Sequence, residues 1–292
     1  MATVVLVHGI WNRQRGMTAD LAATALADAA LPKLARGLQA AQLPHTPLPA
    51  LAMAYYADLL TDGAELQSAG EDGLEGLSDS ELAQAWQWLL AAGAPGLQES
   101  QAGWLSPVRQ GLGWLVRQHG GDLRTSRARE EAMVRLERLV CALIREVDAY
   151  TSRPQVRKAV RERVREAIRA HRPQVVVAHS LGSVVAWETL CASPELDVEL
   201  LVTLGSPLGL PALTQRLEPP LRHGKGLRPA GVRRWVNIAD GGDLVALPPE
   251  LGGIFPVDTH MTTGIGPFDL HTLGGYLSNG MAAAAMAPYL SS

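Results

Sequence analysis

Short apolar runs bounded by turn residues punctuate the chain: TVVLVH at 3–8, ALAMAYY at 50–56, QVVVAH at 174–179, VELLVTL at 198–204 and VRRWVNIA at 232–239. The valine triplet at 175–177 leaves no polar face, the pattern of a parallel strand covered by helices on both sides. Helical patterns fill the intervals at 19–42, 155–171, 183–192 and 272–288. In 155–171, Val156, Val160, Val164 and Ile168 recur every four residues, with arginines on the opposite face. Strand and helix alternating in this way predict an open, mostly parallel α/β sheet flanked by helices.

Residues 57–150 interrupt the alternation. The stretch 61–81 is acidic and rich in Gly and Ser and reads as a surface loop. Trp86, Trp88, Trp104 and Trp114 then cluster near Leu105, Val108, Leu112 and Leu115. An amphipathic helix follows at about 126–150, with Met133, Leu136, Val140, Leu143 and Val147 on one face. Two readings are open: a helical subdomain with its own small core, or a cap whose tryptophans face an apolar substrate. On the cap reading Trp86 and Trp104, together with Trp11 near the N-terminus, line the substrate site. The whole chain, 1–292, reads as one domain carrying 57–150 as a helical insertion.

Composition narrows the function. With 47% hydrophobic and 19% charged residues the chain has a sizeable core. A net charge of −3 gives no basis for nucleic-acid binding or for attraction to anionic membranes. The arginines of 155–171 interleave with Glu162 and Glu166 at helical spacing, which predicts a solvated, salt-bridged face. Cys141 and Cys191 lack metal-ligand spacing and read as packed thiols. The first apolar run has no basic flank or cleavage site, and no run reaches the roughly 18 apolar residues of a membrane span. The expectation is a soluble cytoplasmic protein. There is no H-E-x-x-H, no P-loop and no G-x-G-x-x-G after a strand, so no metal and no cofactor are expected.

The candidate chemistry sits where the valine strand ends. Ser180 lies in A-H-S-L-G between VVVA and a helical pattern, a variant of the G-x-S-x-G elbow with Ala178 at the first small position and Gly182 at the second. A sharp strand-to-helix turn lifts the hydroxyl clear of the sheet and aims the Leu181 N–H at the place where an oxyanion forms. At the end of the first strand, His8-Gly9 shapes a loop whose next N–H, from Ile10 or Trp11, is the second donor. His8 itself reads as structural. A serine nucleophile needs a base and an orienting carboxylate, which in this architecture follow later in the order acid, then His. Asp243 is preferred over Asp240, which reads as a brace of the same turn. His271, just before the closing helix, is preferred over His260, which falls in a Thr-rich loop. Ser206, followed by a proline, reads as a turn that shapes the pocket.

VHGIW (7–11), AHSLG (178–182), TLGSPLGLP (203–211), NIADGGDLVALP (237–248) and HTLGGYL (271–277) together resemble the α/β-hydrolase superfamily, and more narrowly its lipase and esterase-like branch. The resemblance spans nearly the whole chain outside 57–150. It implies a Ser180–His271–Asp243 triad with Ile10 and Leu181 as oxyanion donors. The chain departs from the pattern at Ala178, and with its first strand beginning at residue 3 the expectation is a sheet without the early antiparallel strands of the full fold. The function expected is hydrolysis of a small-molecule carboxylic ester through an acyl-enzyme. The same triad serves an acyl-thioesterase or an acyl-transferring, cyclising enzyme, and a third reading is a non-catalytic binding protein on the same fold.

Overall fold

The computed structural model of the protein describes residues 2–60, 73–96, 103–119, 126–265 and 271–290. The strands are β1 (Thr3–Val7), β2 (Ala50–Ala54), β3 (Val175–His179), β4 (Val198–Leu204), β5 (Val232–Asp240) and β6 (Thr259–Thr263). They form one sheet in the order β2-β1-β3-β4-β5-β6, and every neighbouring pair is parallel. The helices are α1 (Ala19–Ala40), α2 (Asp79–Ala91), α3 (Leu105–His119), α4 (Ser126–Ser152), α5 (Pro154–His171), α6 (Leu181–Ala192), α7 (Pro211–Thr214), α8 (Leu273–Ser278) and α9 (Met281–Leu290).

Strand periodicity assigns each side chain to a face. Val176 enters a core with Val160 and Trp187 on one side, while Val175 and Val177 join Leu34 and Met286 on the other. All three valines are fully buried, each contributing about 1.5–3 kcal/mol of burial. That is why the triplet has no polar position.

Chain direction then creates a crevice. From β1 the chain moves outward to β2, and after the insertion it returns across β1 to β3. Loops leaving the carboxyl ends of β1 and β3 therefore diverge, and such a switch point is where open α/β sheets hold ligands.

Several expectations are corrected. The Thr-rich stretch expected as a loop forms β6: THMTT has no apolar run, and as a half-exposed edge strand it needs none. His260 therefore sits on a strand. The closing helix is split into α8 and α9 at Asn279–Gly280, where Gly280 has φ 99°. α6 begins at Leu181, directly after the serine. The described part of the insertion is helical, and α2 opens within the stretch read as loop, its start fixed by a capping box between Ser78 and Glu81. Its side chains do not form a separate core. Trp86, Leu89, Leu112 and Val140 belong to one continuous cluster with Val5, Val176 and Trp187. Residues 61–72 lie outside the described residues.

Most arginines of α5 are partly or fully exposed and paired as expected, Arg165 with Glu162 for example. Arg157 is the exception. Buried on α5, it is held by Glu188 of α6, which also accepts from Tyr150 of α4 at 2.7 Å and from the Glu218 N–H at 3.0 Å. Cys141 and Cys191 are both free, and burial pushes their thiols up to about 11 and about 12.

Candidate active site

Ser180 is the junction between β3 and α6, with φ 54° and ψ −132°. A non-glycine residue there carries about 1–3 kcal/mol of strain, so the surroundings must impose it. The Ser180 N–H donates to the Leu204 carbonyl at 3.0 Å, carrying the β3–β4 ladder through the turn. Ser183 Oγ donates to the Ser180 carbonyl at 2.6 Å. With its proton spent there, Ser183 accepts from Ser206 Oγ at 2.7 Å. Ser206 is thus a buried brace of the elbow. Two glycines make room. A Cβ on Gly9 would lie 2.4 Å from Ser180 Cβ, and one on Gly182 would lie 2.3 Å from the His8 carbonyl oxygen. Ala178 stands in register with Val7 and Thr203, where its methyl is fully buried.

Asp243 and His271 meet through Oδ2 and Nδ1 at 2.7 Å, both side chains essentially inaccessible. The other Asp243 oxygen accepts the Val245 N–H at 2.9 Å. Because an ionised carboxylate only accepts, His271 Nδ1 carries the proton and Nε2 keeps its lone pair. His271 Nε2 and Ser180 Oγ are both buried, and neither has a hydrogen-bond partner among the described residues. Gly205, at φ 54°, passes so close that a Cβ would lie 2.7 Å from Asp243 Oδ2 and 3.1 Å from His271 Cε1.

The alternatives are occupied elsewhere. Asp240 accepts the Gly242 N–H at 2.7 Å and the Ile265 N–H at 2.6 Å, the brace expected of it. His260 Nδ1 lies 3.0 Å from Asn237 Nδ2.

At the end of β1, His8 is buried and stacked on Tyr56, ring centroids 4.1 Å apart. Its Nε2 accepts the Tyr56 N–H at 3.1 Å, so Nδ1 donates to the Gly9 carbonyl at 2.8 Å. Burial lowers His8 to about 4 and keeps it neutral. This is the structural role expected of it. The loop beyond is tied by Asn12 Nδ2 to the Ile10 carbonyl at 2.7 Å. Among the described residues the Ile10 N–H has no acceptor. Neither does that of Leu181, which as the first residue of α6 has none within its helix. Trp11 has φ 62°, an exposed indole, and an N–H that donates to Glu146 of α4 at 3.0 Å. That contact distinguishes Ile10 from Trp11: only the Ile10 N–H is free.

Of the four tryptophans of the insertion, Trp86 and Trp88 are in the core, and Trp104 and Trp114 are partly buried and packed against it. Trp86 and Trp88 are each 3% exposed. Trp86 stacks on the half-buried Trp104 at 6.1 Å and fills the space left by Gly111. Trp88 borders a small apolar slot of about 40 Å³ with Leu143, Ile144, Val147 and Pro207.

Three neighbours of the site were not foreseen. Tyr276 donates to Asp243 Oδ2 at 2.6 Å. His179 lies with its ring 4.6 Å from that of His271, and burial, then His271, hold it well below the usual histidine range. Glu146 is raised to about 7 by burial, against the pull of the Trp11 N–H. Isolated residues of these types carry no spacing signal in the sequence.

Among the described residues no group of three or more His, Cys, Asp and Glu is placed to hold a metal ion, and no helix is long and apolar enough to cross a membrane. In comparisons with known proteins, no family model, no curated protein and no solved structure matches the chain.

Proposed function

We propose that the protein is a serine hydrolase of the α/β-hydrolase type that cleaves a carboxylic ester through an acyl-enzyme on Ser180. The observation that carries this reading is the buried Asp243–His271 pair, its Nε2 unengaged, in the same site as a strained serine whose Oγ is also unengaged. The switch point between β1 and β3, with one uncommitted N–H at each strand end, supports the same reading.

In the proposed reaction Ser180 Oγ attacks the ester carbonyl carbon while His271 Nε2 takes its proton. Asp243 holds the imidazole in the Nδ1–H tautomer and stabilises the imidazolium. The tetrahedral oxyanion lies between the N–H groups of Ile10 and Leu181, the second at the positive end of α6. On collapse the alkoxide leaves with the proton from His271. A water then attacks the acyl carbon and gives its proton to the same nitrogen, which passes it to Ser180 Oγ as the acyl bond breaks, releasing the acid and the free serine. The Ser180–His271 hydrogen bond, open in the free protein, forms in the complex, as catalytic hydrogen bonds commonly do.

A fluorophosphonate probe tests the proposal. It labels the wild-type protein at Ser180, and Ser180→Ala abolishes labelling while the melting temperature is kept. No labelling of wild-type protein, or labelling at Ser206, overturns it.

A further inference from the structure

The edge of the sheet opposite β6 is formed by β2, which among the described residues pairs on one side only. The Ala50 N–H donates to the Ala2 carbonyl at 2.9 Å, which directs the peptide groups of Ala50, Ala52 and Ala54 toward β1. By the two-residue period of a strand, those of Leu51, Met53 and Tyr55 point outward. The Tyr55 carbonyl is taken by Arg163 Nη1 at 3.2 Å. The N–H and C=O of Leu51 and of Met53 have no partner among the described residues. Proteins normally cover or blunt such an edge, because it templates pairing with another strand.

Here the edge is the floor of a groove of about 470 Å³. One wall is α1, presenting Ala19, Ala23 and Ala27 one helical turn apart, and the other is α5, presenting Ala167 and Ala170. Alanine walls let a main chain approach the strand, and floor groups repeating every second residue fit an extended chain and neither a helix nor a lipid. The charges select its composition. Asp20 and Asp28 on α1 and Glu166 on α5 line the groove, and among the described residues none has an ion-pair partner. Arg163 is paired with Asp58 at 3.5 Å.

We infer that this groove is a docking site for an extended, basic segment of a partner protein, which adds to β2 as a seventh strand and sets Lys or Arg against Asp20, Asp28 and Glu166. A second copy of this chain is disfavoured. A dyad through β2 would bring the same three carboxylates of each copy together, and like charges so placed oppose association.

The inference does not depend on the proposed function, so its test is separate from fluorophosphonate labelling, and an unchanged melting temperature shows that the variants fold. The probe is a displayed library of random peptides about ten residues long, enough to span β2, panned on the wild-type protein. The expected result is enrichment of peptides with excess Lys and Arg. Their binding slows hydrogen exchange at the Leu51 and Met53 amides and weakens at least about tenfold in Ala23→Arg, which fills the groove. The double variant Asp20→Asn/Glu166→Gln, confined to exposed positions, weakens binding to a similar degree. Enriched peptides that bind Ala23→Arg as well as wild type, or that leave both amides unprotected, overturn the inference. So does failure of any peptide to enrich. A concentration-dependent dimer that Ala23→Arg dissociates overturns it in favour of a second copy.

Discussion

Asp243 Oδ2 receives two donors at once, His271 Nδ1 at 2.7 Å and the phenol of Tyr276 at 2.6 Å. Tyr276 is itself held by the Asp240 N–H, which donates to its oxygen at 3.0 Å. Burial, and next the Asp243 charge, push the phenol far above its ordinary range, so it stays a donor at every working pH. The turn that carries Asp240 thus orients the carboxylate through a tyrosine.

The two contacts predict unequal losses. Tyr276→Phe removes one donor while leaving His271 and the Val245 N–H in place, and kcat/KM on a short-chain ester falls about tenfold, the worth of one hydrogen bond to a charged group. Asp243→Asn also removes the negative charge and disturbs the tautomer, and kcat falls by about 10⁴. Steady-state kinetics on both variants, with melting temperatures matched, checks this. Equal losses would mean that Asp243 acts only through Tyr276 and not as the orienting acid.

The elbow makes a second pair of predictions. In Gly182→Ala the new methyl meets backbone, the carbonyl oxygens of His8 at 2.3 Å and of Val7 at 2.5 Å, neither of which is a flexible chain end. α6 must move away from β1, at a cost of about 1–3 kcal/mol, and the Leu181 N–H moves with it. Fluorophosphonate labelling should therefore drop sharply in protein that is still folded. Ala178→Gly, by contrast, removes only a buried methyl from a strand, costs about 1 kcal/mol, and leaves labelling intact. Loss of labelling in Ala178→Gly with full labelling in Gly182→Ala would contradict the geometry.

These contacts show what was legible in the sequence. The valines of β3 declare a two-faced buried strand because burial leaves no room for a polar residue. Ser180, Gly182 and Gly9 are legible because a tight turn restricts residue type at fixed spacing. Order and position along the chain favour Asp243 over Asp240 and His271 over His260, but the physical difference between them is tertiary and has no sequence pattern: Asp240 is consumed by two backbone N–H groups and His260 lies on an edge strand. β6 was missed because Thr-rich edge strands lack an apolar run. The tryptophans left two readings open because an aromatic cluster has the same pattern whether it lines a pocket or packs beneath Gly111, and nothing in spacing reports which.

Arg157 and Glu188 illustrate the same limit and give a third prediction. In sequence Arg157 belongs to a solvated arginine face, but it is buried against Glu188, with Tyr150 beneath its guanidinium at 5.4 Å. Removing one partner strands the other charge. Glu188→Ala should lose about 3–5 kcal/mol, whereas the double variant Arg157→Met/Glu188→Leu should recover most of that loss. Urea denaturation of the two proteins checks this, and a double variant no more stable than Glu188→Ala would show that the network is needed for its geometry and not for charge balance.

The contact between Glu146 and Trp11 joins the insertion to the loop that carries the Ile10 N–H, and it depends on pH. Burial raises Glu146 from the ordinary carboxylate range to about 7, while the Trp11 N–H works in the opposite direction. In the unfolded chain the same group titrates near 4.3. Between those values the folded protein holds the proton more tightly. Glu146 therefore favours folding fully at low pH, and this contribution is lost as pH rises through about 7. Because the side chain is only partly shielded from water, the change amounts to about 1–2 kcal/mol. Glu146→Gln keeps an oxygen for the Trp11 N–H and cannot titrate. Urea midpoints measured from about pH 5 to about pH 8 should show wild type losing ground to Glu146→Gln as pH rises, with most of the change between about pH 5 and 7. A difference that stays constant across the range would mean that Glu146 is ionised throughout and that the loop beside Ser180 is tied to α4 by a charge at every pH.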